Sequence, residues 1–220
     1  MFLYHGTTKR VADLSLKEGL KPRNKKKSTW AVESANDSIY LTDAYAPFFS
    51  FNAGHIGHTR ELAVIAIHTE KLNFMDFLPD EDALEQVDRI SPNKTKFDRP
   101  VETMEERTAW FRDHAHTYPI RGIDYQWSLQ VLGTCRHVGA IPPEAIVKIA
   151  TWNEHETPLS FMFDPSITLV NYRIVGNRYR WCMREMMKDE QTEELSEFDK
   201  FGMDIDKIHE LFDKIKITNR

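Results

Sequence analysis

The sequence predicts an α+β protein, because segments with a strand pattern and segments with a helix pattern both occur along the chain. An apolar run of strand length lies at Glu61–His68, and apolar residues alternate along Ala145–Trp152. Helical patterns at Asp80–Asp88 and Val101–His114 lie between them. The 220 residues allow one sizeable domain or one domain with an appendage. A composition of 41% hydrophobic and 29% charged residues excludes disordered, collagen-like and disulfide-framework classes.

The first third of the chain is predicted to alternate strands with helices. A helix that includes Val11 and Leu14 ends at Gly19, because glycine readily adopts the left-handed conformation that caps a helix. A loop follows over residues 21–34. The other elements predicted here are the strand Phe2–Tyr4, the strand Ser38–Leu41, the helix Asp43–Asn52 and the strand Glu61–His68.

The rest of the chain is predicted to contain two helices, a sheet-rich region and a helical tail. Pro100 suits the start of the helix Val101–His114. Trp127–Leu132 and Cys135–Ile141 are interpreted as parts of the sheet, before the strand that ends at Trp152. We therefore predict a domain over residues 1–180 and an acidic helical extension over residues 181–220. The extension has an apolar face made of Ile205, Ile208, Leu211, Phe212 and Ile215.

Charge and cysteine content limit the class of protein. The 29 basic and 34 acidic residues give a formal charge of −5, which does not indicate a general nucleic-acid binder. Eight basic residues against two acids between Lys9 and Lys27 form a local exception. Two cysteines and an N-terminus without a basic or long apolar run predict inert thiols and a soluble, cytoplasmic protein with no membrane partner.

Three stretches of the sequence carry a family resemblance. They are Tyr4–Thr8 (YHGTT), Ser38–Phe49 (SIYLTDAYAPFF) and Leu62–Ile67 (LAVIAI). Together they resemble the ADP-ribosyltransferase superfamily, in the diphtheria-toxin-like and poly(ADP-ribose)-polymerase-like branch that has a His-Tyr-Glu triad. The similarity covers approximately residues 1–155 and extends, through Leu78–Asp82 and Ser128–Cys135, to phage and bacterial conflict proteins. It implies antiparallel sheets split around an NAD cleft, with flanking helices.

The resemblance also implies the residues that bind NAD as co-substrate. His5 would bond the nicotinamide ribose, the Gly6 backbone would pair with the carboxamide, and Thr7 would shape that turn. Tyr40 would stack on the nicotinamide ring, and one of Phe48 and Phe49 would supply the opposite face.

The third member of the family triad is a glutamate on a late strand, where it stabilises the positive charge that develops on the ribose. At the corresponding place this sequence has Gln130, which together with His5 and Tyr40 would complete the catalytic site. Three explanations remain open. Either the chain is a deliberately disarmed enzyme, or it is a naturally degenerate binding relative, or the strand is misaligned and Asp124 or Glu144 serves as the catalytic carboxylate instead.

The acceptor is predicted to be a nucleic acid, with RNA slightly favoured over DNA. Local positive charge supports this prediction, and the residues concerned are Lys25, Lys26, Lys27, Arg178 and Arg180. The resemblance further implies a bacterial toxin or phage-defence effector with a neutralising antitoxin, for which the apolar face of the tail is a candidate docking element. Alternative functions are a protein ADP-ribosyltransferase, an RNA 2′-phosphotransferase-like enzyme and a catalytically dead NAD or ADP-ribose binding module.

The sequence predicts no metal site. Asp80–Asp82 with Glu85 is interpreted as acids that favour a helix N-terminus rather than as cation ligands. The pairs His55/His58 and His114/His116 have no cysteine or carboxylate partner at a recognisable spacing.

Overall fold

A computed structural model describes residues 1–22, 33–90, 103–114, 124–159, 169–190 and 192–220, without the side chains of 86–90 and 169–171. It confirms an α+β protein. The strands are β1 (Phe2–Thr8), β2 (Ser38–Thr42), β3 (Glu61–His68), β4 (Phe77–Pro79), β5 (Thr134–Val138), β6 (Ile146–Asn153) and β7 (Lys216–Asn219). The α-helices of the described residues are α1 (Lys9–Glu18), α2 (Ala46–Ile56), α3 (Glu81–Ile90), α4 (Met104–His114), α5 (Tyr125–Leu132), α6 (Leu169–Met187), α7 (Glu197–Lys200) and α8 (Ile205–Phe212).

All seven strands belong to one antiparallel sheet in the order β4-β5-β2-β1-β3-β6-β7. β1 pairs with β3 along its whole length, and β2 pairs with β5 along all of Ser38–Thr42. In contrast, within the described residues β1 and β2 are paired only at Tyr4 and Thr42. The described residues therefore form one continuous sheet rather than the split sheets that the resemblance implies, and we call the junction of β1 and β2 at Tyr4 and Thr42 the seam.

The sheet has a hydrophobic core on each face, because successive side chains of a strand point to opposite sides. Leu3 and Ile65 contribute to one core, together with Ala12 of α1. Tyr4 and Val64 contribute to the other, together with residues of α2, α6 and α8. Burial on both faces explains why β3 has the continuous apolar run seen in the sequence.

The interpretation of Trp127–Leu132 as part of the sheet is wrong, because these residues lie in α5. Asp124 begins the helix by accepting a hydrogen bond from the Trp127 amide at 2.9 Å. Gly133 ends it with a left-handed backbone, φ 76°. A short apolar segment is compatible with a buried helix as well as with a strand, and here the capping residues decide.

The C-terminal region differs from the helical tail that the sequence predicts. Its last element is β7, an edge strand that pairs with β6. The predicted boundary at residue 180 falls inside α6, and the division into a domain and an extension stays a prediction. Ile208, Phe212 and Ile215 are buried in the core around Tyr4. The apolar face proposed for docking is therefore largely buried in the protein's own core.

None of the helices in the described ranges has the length and apolar character needed to cross a membrane.

Candidate functional site

Hydrogen bonds connect His5, Tyr40 and Glu81 at the seam. The His5 ring lies on β1, and its Nδ1 is 2.9 Å from the backbone oxygen of Tyr40 on β2. The Tyr40 hydroxyl donates to the Glu81 carboxylate and accepts a hydrogen bond from the Ala35 amide at 3.0 Å. The structure thus brings together a histidine and a tyrosine that the sequence predicted for the site and a glutamate that it did not assign there.

Glu81 is a buried carboxylate with an incomplete set of partners. It begins α3 directly after β4, and only 4% of the residue is exposed. Its Oε2 has no hydrogen-bond partner among the described residues, and Arg136 Nη1 lies 3.9 Å away. Burial and the neighbouring Asp80 raise the pKa of Glu81 to about 7, against the opposing effects of Arg136 and Tyr40. The group therefore exchanges its proton near neutral pH.

The Tyr40 phenol is held in its neutral form. Burial raises its pKa well above the usual value, and the adjacent charge of Glu81 raises it further. The phenol therefore stays a hydrogen-bond donor to Glu81 throughout the range in which that carboxyl titrates.

A buried arginine lies next to this pair. Arg136 on β5 is directly opposite Tyr40 in the strand register. Its Nη2 donates to the backbone oxygen of Arg112 at 2.8 Å, whereas its Nε has no partner among the residues described. Arg112 in turn donates to the backbone oxygen of Glu33 at 2.8 Å. Polar groups that are buried without a partner among the described residues are candidate contacts for a polar ligand.

Gly6 is required by the packing of α2 on β1. A Cβ atom at this position would lie 2.0 Å from the Ala46 oxygen and 2.6 Å from the Ser50 nitrogen, closer than real contacts allow. The Thr7 amide donates to the Ser50 hydroxyl at 3.2 Å. The helix therefore closes one face of Gly6, and a carboxamide could reach the Gly6 backbone only from the strand edge.

Phe48 and Phe49 are half-buried neighbours in α2. Their rings meet edge to face with centroids 5.6 Å apart, and both pack against the core that contains Tyr4. Their proposed contact with a nicotinamide ring stays a prediction.

Gln130 does not lie on a strand. It is an exposed residue of α5, between the buried Leu129 and Val131. β5, the strand that faces Tyr40, has the sequence TCRHV and contributes no carboxylate. The strand position assigned to Gln130 is therefore wrong, and its catalytic role stays a prediction.

The two alternative carboxylates have other positions. Asp124 caps α5, and Glu144 is exposed in the short 3-10 helix Pro143–Ala145 before β6. The residue that sequence reasoning missed is Glu81. It was visible as part of an acidic run, but nothing in that run indicated a bond to Tyr40.

The predicted basic contacts for nucleic acid fall into two groups. Lys25, Lys26 and Lys27 lie outside the described residues. Arg178 donates to the backbone oxygens of residues 199 and 201 at 2.9 and 2.8 Å. Arg180 forms an ion pair with Asp43 at 2.6 Å. Both guanidinium groups lie on α6 and are engaged within the chain, and their role toward nucleic acid stays a prediction.

No group of three or more His, Cys, Asp or Glu side chains in the described ranges is arranged to hold a metal ion. In the acidic run, Asp80 accepts a hydrogen bond from the Asp82 amide at 3.0 Å, and Glu85 forms an ion pair with Arg107 at 2.8 Å. His114 stacks on Trp110 with ring centroids 4.2 Å apart. These contacts give Asp80, Glu85 and His114 partners within the protein.

No protein-family model matches this chain, and no curated protein sequence matches it.

Proposed function

We propose that the protein is an NAD-dependent ADP-ribosyltransferase whose NAD site is the seam between β1 and β2. The proposal keeps His5 as a ligand of the nicotinamide ribose and Tyr40 as the ring that stacks on nicotinamide, and it gives the Tyr40 hydroxyl the further task of orienting a carboxylate. It replaces Gln130 by Glu81 as the carboxylate of the triad. The proposed acceptor is a nucleic acid, RNA before DNA, and the proposed setting is that of a toxin or phage-defence effector with a neutralising partner.

The observation that carries the proposal is the hydrogen-bonded series from His5 through Tyr40 to Glu81. It supplies the three residue types of the triad, with His5 on β1, Tyr40 on β2 and Glu81 at the start of α3. The unsatisfied Glu81 Oε2 and Arg136 Nε are polar groups to which a sugar hydroxyl or a phosphate could bind. These hydrogen-bond donors and acceptors therefore fit the polar groups of NAD, except that α2 closes one face of Gly6.

Each residue would have a distinct task. NAD supplies the ADP-ribose group and releases nicotinamide. The ionised Glu81 would stabilise positive charge on the ribose and hold its hydroxyl, which requires a carboxylate that has lost its proton. Tyr40 orients that carboxylate through its hydroxyl. His5 would hold the sugar from the opposite strand. Because the pKa of Glu81 is raised to about 7, we expect transfer to increase with pH through that value.

The test is transfer of label from radiolabelled NAD into a cell lysate by the wild-type protein, Glu81→Gln and Gln130→Glu. We expect wild-type transfer, a loss of on the order of a hundredfold in Glu81→Gln, and no change in Gln130→Glu. Parallel digests identify the acceptor, because label in nucleic acid is lost to nuclease and label in protein is lost to protease. Transfer that appears only in Gln130→Glu would contradict the role of Glu81.

One observation favours a second candidate, a module that binds NAD or ADP-ribose without turnover. Glu81 is 4% exposed and already bonded to Tyr40, so it makes its contacts within the chain before any ligand arrives. This candidate predicts binding of NAD to the wild-type protein together with no transfer by any of the three proteins.

A further inference from the structure

Two adjoining clefts lie on the C-terminal side of the molecule, between α6 and residues 192–213. Their volumes are about 290 and 250 Å³. Glu185, Thr192 and His209 line both of them, so the clefts form one continuous depression. We call this depression the acidic groove.

Charge is concentrated around the groove. Residues 185–213 include eleven Asp and Glu residues and three lysines, a formal charge of −8, whereas the whole chain carries −5. Asp189 and Asp213 line the first cleft, and Glu193 and Glu194 line the second. Lys200, also in the second cleft, is paired with Glu197 at 3.1 Å. Such a surface attracts cations and repels phosphates and other acidic surfaces.

Two strongly exposed phenylalanines belong to the segment that borders the second cleft through Lys200. Phe201 is 80% exposed and Phe198 is 76% exposed, the highest values of any large hydrophobic residue in the described ranges. Isolated exposed apolar residues are common on protein surfaces, but two rings next to an acidic cleft resemble the apolar and charged parts of a binding surface.

The segment that carries the phenylalanines is anchored to α6. Arg178 Nη2 donates to the Phe201 backbone oxygen at 2.8 Å, and Arg178 Nε donates to the Asp199 oxygen at 2.9 Å. The Ser196 hydroxyl accepts a hydrogen bond from the Asp199 amide at 3.2 Å and so caps α7. A surface held in place in this way has less conformational entropy to lose when a partner binds.

We propose that the acidic groove and the Phe198/Phe201 pair together bind a basic amphipathic segment of a partner protein. Lysine or arginine side chains of the segment enter the two clefts, and its apolar side chains cover the two rings. The charge argues against a nucleic acid as the occupant and equally against a second copy of this acidic surface. The inference does not depend on NAD chemistry.

The probe is a fluorescein-labelled leucine–lysine peptide of about 18 residues, designed as an amphipathic helix of five turns. Its matched control has the same composition in an order that destroys the apolar face. Fluorescence anisotropy is measured with the wild-type protein, the double variant Phe198→Ser/Phe201→Ser and the double variant Glu193→Lys/Glu194→Lys. Phe74→Ser/Met75→Ser is the protein control, because those side chains are each 69% exposed elsewhere on the surface.

We expect the amphipathic peptide to bind the wild-type protein and the Phe74/Met75 control equally, and the reordered peptide to bind at least tenfold more weakly. The Phe198/Phe201 variant should lose at least tenfold in affinity, as expected for aromatic residues at the centre of an interface. The Glu193/Glu194 variant should lose affinity mainly at low salt.

Four results would overturn the inference. Equal binding of the two peptides to the wild type would show that binding reflects nonspecific charge attraction. Equal binding of the amphipathic peptide to the wild type and to the Phe198/Phe201 variant would show the same. Tighter binding of labelled oligouridylate than of the peptide would assign it to nucleic acid. Self-association of the wild type that the Phe198/Phe201 variant abolishes, measured by sedimentation, would make a second copy the occupant. Circular dichroism of each variant verifies folding, and none of these experiments contains NAD.

Discussion

Replacing Glu81 by glutamine is predicted to change how the stability of the protein depends on pH. The pKa of Glu81 is raised from its usual 4.5 to about 7 because the group is buried beside Asp80. Between these two values the folded protein binds a proton that the unfolded chain has released, so stability falls as pH rises. Glutamine resembles the protonated carboxyl in shape and carries no charge, and its amide oxygen can still accept the Tyr40 hydrogen bond.

The size of the effect follows from the two pKa values. Each pKa unit corresponds to about 1.4 kcal/mol, so ionising Glu81 costs about 3 kcal/mol more in the folded protein than in the unfolded chain. This contribution is complete below pH 4.5 and lost above pH 7. We therefore expect Glu81→Gln to match the wild type near pH 4.5 and to exceed its free energy of unfolding by about 2–3 kcal/mol at pH 8.

The assay is urea denaturation at several pH values between 4.5 and 8, followed by tryptophan fluorescence. Glu156→Gln is the matched control, because Glu156 is an exposed turn residue whose replacement should leave the wild-type profile unchanged. Asp80 and Asp82, whose pKa values are also raised, are present in all three proteins. Parallel pH profiles for the wild type and Glu81→Gln would refute the assignment of a buried, neutral-range carboxyl to Glu81.

Three further substitutions test other parts of the structure. Gly6→Ala should destabilise the protein by about 3 kcal/mol or more in thermal or urea unfolding, because its Cβ would meet the Ala46 oxygen at 2.0 Å; a near-neutral change would contradict the close packing of α2. Arg180→Met should cost about 2–4 kcal/mol at pH 8 and less at pH 5, because Asp43, whose pKa burial raises, loses its cation and takes a proton at low pH. A loss that does not vary with pH would count against that ion pair. Gln130→Glu should stay within about 0.5 kcal/mol of the wild type, as expected of an exposed residue, and a large loss would place Gln130 in a packed environment.

Much of the sheet could be predicted from local sequence patterns. The alternation along β6 has the period of a strand, and the apolar run of β3 has the length and the β-branched residues of a buried strand. The end of α1 at Gly19 was predicted from the preference of glycine for positive φ, and its φ is 75°. These features depend on residues near one another in the chain, which is why the sequence was enough.

One error is local, and two arise where contacts distant in sequence decide. Trp127–Leu132 is apolar enough for a strand, but the Asp124 cap and the Gly133 terminus make it a helix. β7 has few apolar residues and exists because β6 offers it an open edge. Glu81 was noticed only as part of an acidic run, since its bond to Tyr40 spans 41 residues and is created by the fold.

The most direct test of the proposed site is the affinity of the protein for NAD, measured by isothermal titration calorimetry without any acceptor. We expect the wild type and Gln130→Glu to bind NAD with equal affinity, and His5→Ala to bind at least tenfold more weakly, because His5 lies at the seam and Gln130 lies on the exposed face of α5. Absence of NAD binding by the wild type at millimolar concentration, or unchanged binding by a folded His5→Ala protein, would contradict the assignment of the seam as an NAD site.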